Sequence, residues 1–452
     1  MPMKKKLAAI LSVLTALTLL LGMSVTGAGA MTFPLPSDLK IMSKSVLLVS
    51  MDTGQTVYEQ AADEKMYPAS TTKIMTYIIS YENIEDVENT RIEIKKPIID
   101  KLKNTGSSMA YLSDHVGEKV KVIDILYSLM VPSGNDAALV LADYIGNGDI
   151  NVFVEKMNAK AKELGCENTH FANPDGLHDP DHYTTARDLQ KITEYALKLP
   201  NFMKISNTVS YKCEGDDTAL RTTNYLIDGN SEYYYTYAEG IKTGTTDEAG
   251  RCLVTTGSAD GQSYMLILLG APYKQGVQEE YYTFTDAAAL FRWCLTKLEL
   301  CNVKTTETPI CEANVKYAMN KSKVTLLPEK NLNAILPADR TPDTVVIEPD
   351  IPEYLEAPLR TDQVVGTASI YYIDSKTGEK QTVATVNLVP AENVEHSGIM
   401  AALDIAGTIF KSYWFLIVIG LIAIVVLIYI IASKIHRKRK KKNRDVKRYR
   451  NF

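Results

Sequence analysis

Tyr67-Pro68-Ala69-Ser70-Thr71-Thr72-Lys73 sets a hydroxyl and an amine three residues apart, directly ahead of the apolar run Ile74, Met75, Tyr77, Ile78 and Ile79. Proline tolerates a first helical turn, and a serine oxygen can satisfy free backbone donors there. A helix beginning near Ser70 puts Lys73 one turn on and on the same face. A serine hydroxyl is a weak nucleophile at its own pKa, and a neutral amine beside it can activate it. The pair therefore suggests acyl transfer. S-x-x-K also recurs by chance in long chains, where it is no more than a solvated helix start, so the remaining sequence has to carry the reading.

Two further short motifs stand where that reading needs them. Ser133-Gly134-Asn135 interrupts two helical patterns, and Lys242-Thr243-Gly244 closes a strand pattern. S-x-x-K, S-x-N and K-T-G in this order are the signature of serine acyltransferases that react with penicillin. The division of labour follows from the chemistry of each side chain. Ser70 is the expected acyl-ester nucleophile, and Lys73, neutral through burial and a neighbouring cation, its general base. Ser133 can relay a proton to the leaving group, and Asn135 can hold Lys73 or a substrate amide. Lys242 brings a second positive charge and, with Thr243, suits a terminal carboxylate. Gly244 lets a substrate backbone approach the strand. The backbone N–H groups of Ser70 and Thr245 are candidate oxyanion donors.

At these residues the chain resembles the low-molecular-mass penicillin-binding proteins, specifically the serine D-alanyl-D-alanine carboxypeptidases. The resemblance covers most of 45–298. It includes Tyr67 to Lys73, His170-Phe171-Ala172-Asn173-Pro174-Asp175-Gly176-Leu177-His178, Tyr183-Thr184-Thr185-Ala186-Arg187-Asp188-Leu189 and Gly240-Ile241-Lys242-Thr243-Gly244. It implies a β-lactamase/DD-peptidase-like α/β domain and removal of the terminal D-alanine from peptidoglycan pentapeptide stems, with β-lactams as covalent inhibitors. It implies no cofactor and no metal. Arg221 and Arg251 lie in no motif that would make either a substrate-carboxylate ligand.

The periodicities lay the domain out. Ser45–Ser50 and 56–59 read as paired strands. Helical patterns follow at 120–130, 137–145, 152–164 and from Thr184 or Thr185 to 199, with Asn135 or Asp136 expected to cap the second. Strand signals return at 208–213 and 239–243, with a turn at 244–250, then a hairpin of 252–258 and 263–269 around Ala259-Asp260-Gly261-Gln262. A helix at 283–298 completes an antiparallel sheet with a helical insertion. From 303 to 394 short alternating segments predict a small all-β domain. The expected organisation is a signal peptide at 1–30, a catalytic domain at 31–300, the β domain at 301–394, a juxtamembrane segment at 395–412, a transmembrane helix at 413–432 and a basic tail at 433–452.

The ends place the protein. Lys4-Lys5-Lys6, an apolar run from Leu7 to Leu21 and Ala28-Gly29-Ala30 have the pattern of a secretory signal. Tyr413 to Ala432 is apolar without interruption and about the length that crosses a bilayer. The cluster from Lys434 to Arg444 predicts a cytoplasmic tail that meets anionic lipid, with everything before Tyr413 outside a bacterial cell. With the signal and the tail set apart, the formal charge of −5 becomes −18 for the exported part, which repels a nucleic acid. Six scattered cysteines match no zinc spacing and dictate no disulfide framework.

Four other functions compete. A β-lactamase needs a deacylating base, and the 170–182 loop offers aspartates but no glutamate. A zinc peptidase would gather His170, His178 and His182 with Asp179 and Asp181. A penicillin sensor would need an output domain, for which the tail is too short. An endopeptidase that cuts peptidoglycan cross-links is the nearest rival.

Overall fold

A sheet whose central strands are apolar can be buried on both faces only between two helical layers, and that is the arrangement of the first part of the chain. The computed structural model describes residues 32–449 except 104, 111, 274–279, 320, 375–376 and 412, so the signal peptide expected at 1–30 lies outside the described residues. Strands β1 (Ser45–Ser50), β2 (Thr56–Gln60), β3 (Ala238–Thr246), β4 (Gly250–Ala259) and β5 (Gln262–Ala271) form one sheet in the order β2-β1-β5-β4-β3. Every described pairing in it is antiparallel. Asp260 and Gly261, both at positive φ, make the tight β4–β5 turn, the backbone a two-residue hairpin requires.

Side chains alternate across the sheet. Leu47, Val49, Met265, Ile267 and Leu269 join the large core shared with the helical insertion. The intervening Val46, Leu48, Leu266 and Leu268 are equally buried, on the face where helix Tyr282–Lys297 packs against β4 and β5. The insertion supplies helices α1 (Lys73–Asn83), α2 (Val122–Met130), α3 (Asn135–Ile145), α4 (Ile150–Glu163) and α5 (Ala186–Ala196). We number Tyr282–Lys297 as α6.

Four local expectations are corrected. The chain does not enter the first helix at Ser70. Ala69–Thr72 is a 3₁₀ turn, Ala69 has φ +48°, and the α-helix starts at Lys73. Neither Asn135 nor Asp136 caps α3, whose N-cap is Gly134. Only Ser210–Tyr211 of the 208–213 stretch is strand. Gly244 lies within β3 rather than in a turn, and the turn is confined to 247–249. Thr185 does cap α5, accepting the Asp188 N–H at 3.0 Å.

The chain divides into two compact units. One runs through Val303 and adds Asn333–Val346 and Ile370–Ala384; the other comprises Lys304–Leu332, Ile347–Ser369 and everything from Thr385 on. Beyond residue 304 the described chain up to the last helices is β structure with tight turns. A six-stranded sheet runs in the order 345–350, 366–373, 380–390, 323–328, 311–316 and 355–356. Its strands bury alternate residues, such as Ala368, Ile370 and Tyr372.

Helix α7 (Gly398–Lys411) follows, with Asp404 accepting a hydrogen bond from the Tyr317 hydroxyl at 3.2 Å. Helix α8 (Tyr413–Tyr449) contains a segment, Tyr413–Lys440, whose most apolar 18-residue stretch has a mean hydropathy of 3.3, long and apolar enough to cross a membrane. All six cysteines are free thiols.

Candidate active site

The 3₁₀ turn is what brings Ser70 and Lys73 together. With three residues per turn, side chains at i and i+3 eclipse, whereas an α-helix would offset them. The Lys73 Nζ donates to Ser70 Oγ at 2.9 Å. It also reaches Asn135 Oδ1 and the main-chain oxygen of Asp175, both at 2.6 Å. The Ser70 oxygen makes no helix cap. Thr71 and Thr72 instead donate to the Pro68 and Ala69 carbonyls at 2.7 and 2.8 Å, pinning the turn.

Lys73 is fully buried. Burial lowers its pKa from the usual lysine range to about 8, against the opposing pull of Asp175 and then Asp136. Three acceptors suit an ammonium with three protons. A neutral amine can still donate to Asn135 and Asp175 and turn its lone pair to the Ser70 hydroxyl. One arrangement therefore accommodates both protonation states of a base.

Ser133 sits between α2 and α3 at φ +65° and lines the same cleft as Ser70. The geometry around it is fixed by its neighbours. Asp136 accepts the N–H groups of Ala110 at 2.9 Å, Leu112 at 3.1 Å and Ala137 at 3.0 Å, while the Asn135 N–H donates to Ser108 O at 2.9 Å. These bonds tie the 108–112 loop to the Ser133 turn, and Ser108 becomes part of the cleft wall.

The opposite wall is β3, at the edge of the sheet. An edge strand leaves outward backbone groups to which an extended peptide can add. A Cβ on Gly244 would stand 2.9 Å from Ser70 N and 3.0 Å from Pro68 O, so glycine is what lets β3 lie against the Ser70 turn. Thr243, Gly244 and Thr245 line the cleft, whose volume is about 210 Å³. Lys242 does not line it. Its Nζ is buried and donates to Thr243 O at 2.9 Å, and burial, then the Lys73 charge, push its pKa well below the usual lysine range. The Thr243 hydroxyl meets that of Thr223 at 2.5 Å, and Thr223 N–H donates to Val131 O at 3.2 Å, linking the two walls.

The three histidines of the 170–182 loop serve separate partners. His182 accepts the Ala172 N–H on Nδ1 at 3.1 Å and faces Thr72 Oγ1 with Nε2 at 2.8 Å. Burial lowers its pKa to about 4, which keeps it neutral. His170 bonds the Asp181 carbonyl, and His178 meets the Tyr67 ring edge-on at 4.7 Å. Among the described residues no three such ligands converge.

The structure thus gathers Ser70, Lys73, Ser133, Asn135 and the Thr243–Thr245 strand at one cleft, with Lys242 buried behind it. Sequence reasoning missed the Asp175 carbonyl, the Asp136 tether and Thr223. It also assigned nothing to Arg251, which lines the cleft directly. The Asn173-Pro174-Asp175-Gly176 string was visible, but a main-chain acceptor has no side-chain signature.

Residues 32–273 match the family described as D-alanyl-D-alanine carboxypeptidase, and residues 305–396 match the penicillin-binding protein 5 C-terminal domain. The chain is 34% identical over 238 residues to the D-alanyl-D-alanine carboxypeptidase DacF of Bacillus subtilis, covering 52% of this chain and 59% of that one. It is 27% identical over 368 residues to DacA of Haemophilus influenzae, covering 80% and 88%. The crystal structure of penicillin-binding protein 5 from Haemophilus influenzae superimposes with a TM-score of 0.65 at 25% identity, covering 80% of this chain and all of that one.

Proposed function

Because this chain belongs to the D-alanyl-D-alanine carboxypeptidase family, we propose that Ser70 is the nucleophile with which it removes the terminal D-alanine from peptidoglycan pentapeptide stems. The observation that carries the assignment is the Ser70–Lys73 pair: 2.9 Å apart, with the amine fully buried and its pKa lowered to about 8.

The steps follow from the geometry. Neutral Lys73 takes the hydroxyl proton as Ser70 Oγ bonds to the carbonyl carbon of the penultimate D-alanine. The oxyanion draws on the N–H groups of Ser70 and Thr245, a role supported by the close approach of the Gly244 strand to Ser70 N. Asn135 keeps the amine aligned with Ser70. Ser133 passes a proton to the leaving amine, the C–N bond breaks, and D-alanine departs. Water then attacks the acyl-ester, with Lys73 again accepting a proton, and Ser70 is regenerated. Lys242, behind Thr243, donates to the Thr243 main-chain oxygen and so braces the strand along which the substrate lies. Penicillin acylates the Ser70 oxygen and stays.

The reading places a signal peptide at 1–30, the catalytic domain at 31–300, the β domain at 301–394, and a single spanning helix from Tyr413. The basic residues after Ala432 favour a cytoplasmic tail and an extracellular catalytic domain.

The test uses the full-length protein in detergent. It should form a covalent adduct with fluorescent penicillin and release D-alanine from a pentapeptide ending in D-Ala-D-Ala, and Ser70→Ala should do neither. An adduct on the Ser70→Ala protein would overturn the choice of nucleophile. Faster cleavage of a cross-linked dimer than of the pentapeptide would make the enzyme an endopeptidase.

A further inference from the structure

Lys73 is a buried cation whose hydrogen bonds all go to uncharged groups: the Ser70 hydroxyl, the Asn135 amide oxygen and the Asp175 main-chain oxygen. An ammonium buried without a counter-charge is costly even when its protons are bonded. Among the described residues, the charged groups that act on it come from different elements. Lys242 on β3 repels it, and His182 beneath the turn is neutral. Asp136 on α3 attracts it, but that carboxylate is already engaged by the N–H groups of Ala110, Leu112 and Ala137. Asp175, from the 170–182 loop, attracts it more strongly.

Asp175 is buried and is not among the residues that line the cleft with Ser70. Its surroundings are locked by side chains. Asp175 Oδ1 accepts the Leu177 N–H at 3.0 Å, Asn173 Oδ1 accepts the Gly176 N–H at 2.7 Å, and Asn173 Nδ2 donates to Leu177 O at 2.9 Å. The Thr76 hydroxyl, on the next turn of α1 after Lys73, donates to Pro174 O at 2.5 Å. A carboxylate bonded to the backbone two residues on fixes side chain and main chain together. One residue thus offers the amine a direct acceptor and, a side chain's length away, a negative charge. Burial pushes the Asp175 carboxyl up, and the Lys73 charge is the first force pulling it back.

We propose that Asp175 is the positioning residue for the base: its carboxylate is the counter-charge of the ammonium that Lys73 becomes on taking the Ser70 proton. The inference rests on the reading of Ser70 as nucleophile and Lys73 as its base, and adds the group that sets the strength of that base. In the step, the Ser70 O–H bond breaks and a third N–H bond forms on Lys73 Nζ. The positive charge that appears there meets a negative charge already in place. Because the amine contacts the carbonyl rather than the carboxylate, the charge is offset without an ion pair that would hold the proton, which leaves again through Ser133 to the departing amine.

The test measures acylation by fluorescent penicillin across pH, on the full-length protein. Wild type should rise through an inflection near pH 8. Asp175→Asn keeps the shape and the acceptor for the Leu177 N–H but removes the charge. The ammonium then loses support, so the inflection should move to about pH 7 or below. A weaker base should also lower the plateau rate by about threefold or more. Asp175→Ser removes the charge as well, and serves if the asparagine protein does not fold. Asp181→Asn makes the same change at an exposed position of the same loop and should leave the inflection in place.

An inflection that stays in place or moves upward when Asp175 is replaced overturns the proposal, even if the rate falls, because a purely structural role would do that. The same downward move in Asp181→Asn also overturns it. A wild-type profile with no inflection removes the base role of Lys73 and the proposal with it. Wild-type protein that forms no penicillin adduct counts against the reading of Ser70 instead.

Discussion

Replacing Gly176 by alanine should uncouple the 170–182 loop from the catalytic turn. Gly176 has φ +87°, and a Cβ there would stand 2.0 Å from Ala69 O and 2.9 Å from Ser70 N. Ordinary contact begins at 3.4 Å, so the two backbones must part by about 1.4 Å. The neighbouring Asp175 carbonyl lies 2.6 Å from Lys73 Nζ and would leave hydrogen-bonding range if it moved by that amount. Misplacement of reacting groups by about 1 Å costs on the order of 100-fold in rate.

The positive φ adds about 1–2 kcal/mol of backbone strain for any L-residue, worth roughly 2–8 °C in Tm for a domain of this size. Gly261→Ala is the control. Its φ is +78°, but nothing lies within 4 Å of the added carbon. Both variants should melt earlier. Only Gly176→Ala should acylate with penicillin about 100-fold more slowly, measured by quenched-flow with fluorescent penicillin. A folded Gly176→Ala protein that acylates within about threefold of wild type would refute the argument that loop packing sets the Ser70–Lys73 geometry.

Two predictions concern pH. With the Lys73 pKa lowered to about 8, about one-tenth of the amine is neutral at pH 7 and about half at pH 8, which sets the pH dependence expected of the base proposed for Ser70. The acylation rate should climb with pH through that value and then level off; a profile that falls over this range contradicts the role. His115 bridges Glu118 at 2.8 Å and Asp216 at 2.7 Å, and its pKa is raised above 6.5, first by the Glu118 hydrogen bond. Its protonated form is favoured by folding, so its contribution is full below pH 6.5 and lost as pH rises through the folded-state value. The Tm difference between wild type and His115→Ala should therefore shrink from pH 5.5 to pH 8.5, and a constant difference would show that the ion pairs add nothing.

The sequence carried the parts of the site that depend on side-chain type. Ser70, Lys73, Ser133, Asn135 and the 242–245 stretch were legible because the chemistry restricts which residues can stand there. The sheet was legible because β1, β4 and β5 are short apolar runs bounded by turn residues. What escaped depends on the backbone. The 3₁₀ turn at Ala69–Thr72 has the same residues a helical start would have, and Ala69 takes its positive φ where β3 and the Gly176 loop both lie against the turn. Gly244 was read as a turn because glycine marks turns and close approaches alike. Asp136 looked like a cap, since nothing in the local sequence reveals that the 108–112 loop returns to it. Arg251 belongs to no motif, and its position follows only from the β3–β4 register.

The cage around Lys73 also has a thermodynamic side. A fully buried amine whose pKa is lowered from 10.5 to about 8 destabilises the fold at neutral pH by about 3 kcal/mol relative to an unperturbed lysine. That penalty is complete below pH 8 and fades as pH approaches 10.5, where the unfolded chain also gives up its proton. The strength of the base and the weakening of the domain are the same free energy seen from two sides. Any change that relieved the burden on the fold by letting water or a carboxylate reach Lys73 would raise its pKa and leave Ser70 without an acceptor for its proton at the pH of growth.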